Sequence, residues 1–401
     1  MKRALAFVIA VGSVAGMAAA ETPRWIGAWG AAPIGYEPKI RDALGRPFRN
    51  ETVRQIVRVS AAGTAIRLRL SNELGGSPLR IGAASIGRIG GDGRIVPDSL
   101  RPLTFGGSRS VVIPANAPFL TDALPLAVRA GEELAVSLFY PEEAAPPAHA
   151  QMAEVGSGDL TLVAEAKMKR ARVPGLVSSV ELAGSAPLVL VTFGDSITEG
   201  AGASPGKYMS WPDQLGRLIE ASPRSRCWSI VNAGISGNRL LHDGRGPNAM
   251  ARFDRDVLSV PGVTHVVLLE GINDIGRISD PARMNQAVSA NQIISAYRQL
   301  ATRARDHGIK VIAGTLLPYE GAAYADAEGE AKRMKVNAWI RANARLFDGL
   351  IDFDAAMQEP GRPKVMRLAE QIGDHLHPND AGYARMARAA FALVAKERCG
   401  R

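Results

Sequence analysis

Between residues 65 and 71 the chain alternates strictly: Ile66, Leu68 and Leu70 are apolar, while Arg67, Arg69 and Ser71 are polar. A period of two predicts a strand with one dry face. Residues 53–60 precede it across a short turn that contains Gly63. Further strand candidates lie at 79–86, 110–113 and 134–140, with Gly, Pro, Asn and Asp between them. Short strands with recurring turn signals predict an all-β sandwich over residues 21–165. Little in this half has helical periodicity. The pattern weakens between residues 144 and 187, where Pro146, Pro147, Pro174 and Pro187 interrupt it. Residues 166–187 therefore read as a linker that follows trailing strands.

From Leu188 the rhythm changes to strand, helix, strand. Strands are predicted at 188–193, 229–232, 264–270, 310–315 and 350–353. Helices are predicted at 211–220, 248–258, 281–307, 330–346 and 379–396. Pro212 suits a first helical turn, and Gly308 suits a helix end. Five strands alternating with helices imply an α/β domain over residues 188–401, with a parallel sheet covered on both faces.

Length agrees with two domains, because 401 residues exceed what one core usually covers. An apolar share of 46% is too high for a mostly disordered chain. Residues 1–20 read as a signal peptide: Lys2 and Arg3 form a basic end, residues 4–17 an apolar centre, and Ala18, Ala19 and Ala20 a cleavage site. The expected location is secreted or periplasmic, and no later segment is apolar enough to span a bilayer. The formal charge is +9, or +7 without Lys2 and Arg3. The densest basic cluster is Lys167, Lys169, Arg170 and Arg172. It lacks the interleaved aromatics of a nucleic-acid module, so no nucleic-acid partner is expected. Two cysteines and six scattered histidines give no zinc-finger spacing, and no metal is expected.

Three polar motifs follow the first three strands of the second half. They are Gly194-Asp195-Ser196-Ile197, the run 232–238 (Asn-Ala-Gly-Ile-Ser-Gly-Asn), and Gly271-Ile272-Asn273-Asp274. A fourth, Asp374-His375-Leu376-His377-Pro378, precedes the final helix. All four fall at the carboxyl edge of the sheet, where open α/β sheets bind ligands. Each residue also has a plain structural reading. Ser196 can cap a helix, Gly237 can serve a turn, Asn273 and Asp274 can form an Asx-turn, and His375 can replace His377 as a base. The nucleophile-elbow pattern G-x-S-x-G fails at Thr198. A phosphate-binding loop ending at Gly206-Lys207 fails at Ala201 and Tyr208, and G-x-G-x-x-G fails at Pro205.

Taken in order across residues 188–395, the four motifs resemble the SGNH or GDSL hydrolase family. The resemblance implies a flavodoxin-like three-layer sandwich with a five-stranded parallel sheet, and ester hydrolysis without a cofactor. Carried over by motif, Ser196 is the nucleophile, His377 its base, and Asp374 the residue that orients the imidazole. The Ser196 N–H, the Gly237 N–H and the Asn273 amide resemble the family's oxyanion hole. With a β-sandwich in front, the chain resembles bacterial members tied to polysaccharide deacetylation, which implies an acetylated polysaccharide or oligosaccharide as substrate. Two other readings stay open: a lipase or arylesterase on small acyl esters, and a glycan-binding protein with an inactive hydrolase domain. Intact Ser196, Asp374 and His377 stand against the last. Tyr208, Trp211, His242 and Tyr319, with Asp243 and Tyr324 nearby, are candidate substrate contacts.

A disulfide between Cys227 and Cys399 is also expected. Cys227 precedes the second strand and so lies at the sheet's amino edge. The last helix runs back to that edge. In a 2-1-3-4-5 strand order the first and last helices share one face, and export makes the bond chemically reasonable.

Overall fold

The structure, a computed structural model, describes residues 24–35, 47–146, 149–184, 186–276, 285–397 and 399. The expected signal segment, residues 1–20, lies outside the described residues. The amino-terminal half is built from antiparallel sheets. One runs in the order Trp25–Gly30, Val177–Gly184, Gly63–Ser71 and Pro118–Leu120, with Leu124–Val128 also paired to Gly63–Ser71. The other runs Lys169–Pro174, Ala150–Ser157, Glu51–Arg58, Glu133–Tyr140, Ala83–Arg88 and Arg101–Leu103. The alternation in the third strand does what a period of two requires. Ile66, Leu68 and Leu70 are fully buried, while Arg67 and Arg69 reach Glu181 and Glu73 at 2.7 Å each.

The stretch 166–187 is not a linker. It supplies the strands Lys169–Pro174 and Val177–Gly184, and the second of these lies between Trp25–Gly30 and Gly63–Ser71. Its polar and prolyl residues hid a strand that begins in solvent. Lys169 and Arg170 are exposed on a sheet edge, where charge is tolerated and discourages further pairing.

The carboxy-terminal half holds a five-stranded parallel sheet in the order Trp228–Gly234, Leu188–Gly194, His265–Leu269, Lys310–Gly314 and Gly349–Ile351. This is the 2-1-3-4-5 order. Val189, Leu190, Val191 and Phe193 are all fully buried. Both faces of that strand are dry because helices cover both sides. The Trp211–Ala221 helix packs on the last helix, Asp380–Val394. Two expected helices differ in their bounds. Residues 248–258 split into an α-helix, Ala249–Phe253, and a π-helix, Asp254–Leu258. The long helix appears as Ala290–Asp306, started by a Ser289–Gln292 capping box, and residues 281–284 of its expected span lie outside the described residues.

The two halves share one contiguous apolar core. The strand Trp228–Gly234 is the edge of the parallel sheet, and the amino-terminal half closes that edge. Ser60 Oγ donates to the Ile230 carbonyl and accepts from the Ile230 N–H, both at 2.8 Å. Ser229 Oγ donates to the Gly27 carbonyl at 2.6 Å. Edge groups that would otherwise face solvent are satisfied. Cys227 and Cys399 form a disulfide with a Cα separation of 5.5 Å. Among the described residues no helix is long and apolar enough to cross a membrane.

Candidate active site

The buried strand Leu188–Gly194 ends directly at Asp195, and a short helix, Ser196–Glu199, begins there. Asp195 caps that helix by accepting from the Ile197 N–H at 2.9 Å. Two glycines let this helix sit against the sheet. A Cβ on Gly194 would lie 2.4 Å from the Leu269 carbonyl oxygen, and one on Gly234 would lie 2.2 Å from the Glu199 nitrogen.

Ser196 Oγ is 2.8 Å from His377 Nε2, and His377 Nδ1 is 2.5 Å from Asp374 Oδ2. The loop carrying both residues is shaped by Asp374 itself. Its Oδ1 accepts from the backbone N–H groups of Leu376 and His377 at 3.0 and 2.9 Å. Partial burial opposes the Asp374 charge. The His377 N–H, the His377 ring and the Leu376 N–H outweigh it and hold the carboxyl below its ordinary value. Asn379 then caps the final helix, so the loop is anchored two residues beyond His377. His375 takes a left-handed backbone, with φ at +58°. Its ring lies against Gly321, where an added Cβ would be 3.0 Å from His375 Cγ. Ser196 therefore meets His377 and not His375.

The Ser196 and Gly237 N–H groups make no hydrogen bond among the described residues. Gly237 has φ at +73°, a conformation that favours glycine. Asn273, at the start of the Ile272–Gly276 helix, donates through Nδ2 to the Asn238 carbonyl at 2.9 Å. Asp274 accepts from the Leu240 and Leu241 N–H groups at 2.6 and 3.0 Å. The second and third motifs are thus laced together, and neither is an isolated turn.

Charged groups packed around Ser196, three of them outside the four motifs, complete the site. Arg252 is 1% exposed. It donates to the Gly194 carbonyl at 2.9 Å, to the Ala233 carbonyl at 2.8 Å, to Asn238 Oδ1 at 2.8 Å and to Asp256 at 3.0 Å. One guanidinium thereby joins the first motif to the second. Glu270, also 1% exposed, lies 3.7 Å from Arg252. Burial pushes its carboxyl well above the ordinary range, and the nearby Asp195 adds to this against Arg252. Burial likewise pushes Asp195 up to about 6. Glu199 completes the set. The only sequence sign of Glu270 is a carboxylate closing an otherwise apolar strand. Among the described residues no group of three or more His, Cys, Asp or Glu side chains is placed to hold a metal ion.

Residues 192–385 match the model of the GDSL-like lipase/acylhydrolase family. That match spans most of the carboxy-terminal half. The protein is accordingly a carboxylic ester hydrolase. No curated protein sequence matches the chain. Among solved structures the chain is similar to a GDSL-like lipase from Bacteroides thetaiotaomicron, at 21% identity over 52% of this chain and 88% of that one, with a TM-score of 0.39. It is also similar to an acetylxylan esterase variant from Geobacillus stearothermophilus, at 24% identity over 53% of this chain and 96% of that one, with a TM-score of 0.43.

Two of the expected substrate contacts of the GDSL domain are core residues instead. Trp211 is fully buried and packs on Phe353 at 5.4 Å between ring centroids. Tyr319 is 1% exposed and lies against Tyr324 at 6.2 Å. Trp211 opens its helix and Tyr319 sits in the loop that follows Lys310–Gly314, and the core claims both large rings. Tyr208 has φ at +52° and donates to the Ile56 carbonyl at 3.3 Å, so it turns toward the amino-terminal half. His242 is half-buried beside Asp274 and stays near the site. Asp243 accepts from Asn248 and shapes its own loop.

Proposed function

We propose that the protein is an exported serine esterase that uses Ser196, His377 and Asp374 to remove acyl groups from a carbohydrate. The observation that carries the reading is the continuous chain of contacts from Asp374 through His377 to Ser196 Oγ. In the forward step His377 Nε2 takes the Ser196 proton while Oγ attacks the ester carbonyl carbon. The tetrahedral oxyanion is met by the Ser196 and Gly237 N–H groups and the Asn273 amide. The C–O bond then breaks, and His377 returns the proton to the leaving alkoxide. Water, deprotonated by His377, attacks the acyl-enzyme and releases the acid and free serine. Asp374 keeps one tautomer and stabilises the imidazolium. Removing a single oxyanion donor typically costs about a hundredfold to a thousandfold in kcat.

The Cys227–Cys399 disulfide supports work in an oxidising compartment after loss of residues 1–20. Carbohydrate acetyl esters are the substrate class implied by a β-sandwich joined to a GDSL domain. A second reading, a lipase or arylesterase, is favoured by two apolar residues on the loop leading to His377. Leu368 and Ile372 are 45% and 50% exposed, and the Ile372 N–H donates to the His377 carbonyl at 3.1 Å. Turnover of acetylated xylan, acetylated pectin and aryl esters by the same preparation tests the two. Release of acetate from a polysaccharide at a higher kcat/KM than from aryl esters is expected. The reverse order favours the second reading. In the same assay Ser196→Ala and His377→Ala should lose nearly all activity, and His375→Ala should retain most of it. A dead His375 variant would overturn the assignment of the base.

A further inference from the structure

We propose that His149, carried by the amino-terminal half, is held as an imidazolium and acts through Glu199 as a positioning residue for the oxyanion wall. The inference rests on the esterase reading above. His149 immediately precedes the strand Ala150–Ser157 and is 7% exposed. Its Nδ1 lies 2.9 Å from the Ala32 carbonyl oxygen, and its Nε2 lies 3.3 Å from Glu199 Oε1. A carbonyl only accepts, and so does a carboxylate. A neutral imidazole has one N–H, so one of the two contacts would set a lone pair against an acceptor. Only the doubly protonated ring satisfies both.

Glu199 is ionised on the same grounds. Its Oε1 also receives Arg172 at 3.1 Å, and its other oxygen accepts the Ser236 N–H. Arg172 and the Ser236 N–H, neither of which depends on His149, donate to separate oxygens and favour the carboxylate. Burial opposes charge on both groups. For Glu199 the attraction of His149 and its hydrogen bonds outweigh that cost and hold the carboxyl far below its usual range. For His149 the attraction of Glu199 does the same and holds the imidazole above its usual value, against Arg172. The groups facing His149 are therefore Glu199 on the short helix, Arg172 on the Lys169–Pro174 strand, and the Ala32 carbonyl beyond Trp25–Gly30.

The consequence reaches the reacting atoms through two short links. Glu199 is the last residue of the helix that Ser196 begins. Ser236, which Glu199 holds, is the neighbour of Gly237. The carboxylate thus sets the distance between the nucleophile's helix and the backbone donor that faces the oxyanion. Without the imidazolium, its remaining side-chain partner is Arg172, whose side chain is 56% exposed. A raised imidazole value in the fold means the brace is fully present below the ordinary imidazole pKa. It is lost as pH rises through the raised one.

Kinetics on a soluble aryl acetate, with kcat and KM followed against pH, test this in the wild type, His149→Gln and His149→Ala. The wild type should show an alkaline fall in kcat that His149→Gln lacks, because an amide does not titrate. His149→Ala should lower kcat about tenfold at neutral pH with KM nearly unchanged, less than outright loss of an oxyanion donor. Independently of activity, [13Cε1]-histidine NMR of the wild type reads the protonation itself. The His149 signal, assigned by its absence in His149→Gln, should titrate above about 6.5. A midpoint below that value, or an alkaline fall retained in His149→Gln, overturns the positioning role. A wild type with no ester turnover sinks the esterase reading and this role together, whereas turnover with a low midpoint sinks the role alone.

Discussion

Replacing Arg252 by methionine removes a buried cation but keeps most of the side-chain volume. The structure allows the cost to be worked out partner by partner. Asp256 is not abandoned, because Arg255 still binds it at 2.6 and 2.9 Å. The Gly194 carbonyl keeps the Ile235 N–H at 3.0 Å. Asn238 Oδ1 and the Ala233 carbonyl lose the donor that Arg252 supplies. A buried acceptor without its donor costs about 1–3 kcal/mol. Glu270 loses its neighbouring cation but is already pushed toward its neutral form by burial, so it adds little. The expected destabilisation is therefore about 3–5 kcal/mol, a large part of a typical domain's stability. Catalysis should suffer too, because Asn238 is freed on one side and its carbonyl orients the Asn273 amide. Urea unfolding followed by circular dichroism gives the stability change, and ester turnover below the transition gives the kinetic one. An Arg252→Met protein within about 1 kcal/mol of wild type and with unchanged kcat would refute the reasoning, since that is the size of a single ordinary hydrogen bond.

Three further outcomes follow from the packing. The Cys227–Cys399 bond spans 172 residues, so Cys399→Ser should lose up to about 5 kcal/mol in urea unfolding; peptide mapping that finds two free thiols in exported protein would contradict it. Trp211→Ala should cost about 3–5 kcal/mol of stability and leave KM unchanged, because the ring packs on Phe353; a raised KM with full stability would return Trp211 to the substrate site. A fragment of residues 21–165 lacks Val177–Gly184, which pairs with two of its strands, and should be aggregated or unfolded by circular dichroism; a folded, monomeric β-type fragment would contradict the shared core.

The parts of this molecule that were legible in the sequence are those encoded locally. The Asp374-x-x-His377 spacing places both residues on one loop, and the strand Leu188–Gly194 announces itself by an unbroken apolar run. Strand and helix alternation pointed to a parallel sheet, the family resemblance implied its flavodoxin-like arrangement, and in that arrangement Cys227 and Cys399 fall at one edge. Residues 166–187 escaped because an edge strand tolerates charge and proline, which imitates a linker. Trp211 and Tyr319 were misplaced because chain proximity to Ser196 says nothing about which way a ring turns. His149, Glu199, Arg252 and Glu270 were invisible for a further reason. Their partners lie in other segments, and a lone buried charge acquires meaning only when those partners are brought to it. His149 and Glu199, for instance, are 50 positions apart and belong to different halves of the chain.

The central claim is that Ser196 is a nucleophile activated by His377. A fluorophosphonate probe followed by peptide mass mapping addresses it without any choice of substrate. One adduct is expected, on the peptide containing Ser196, formed by the wild type and strongly slowed in His377→Ala. A folded wild type that takes up no probe, or that carries the adduct on another residue, would contradict it and favour a glycan-binding protein or a different catalytic centre.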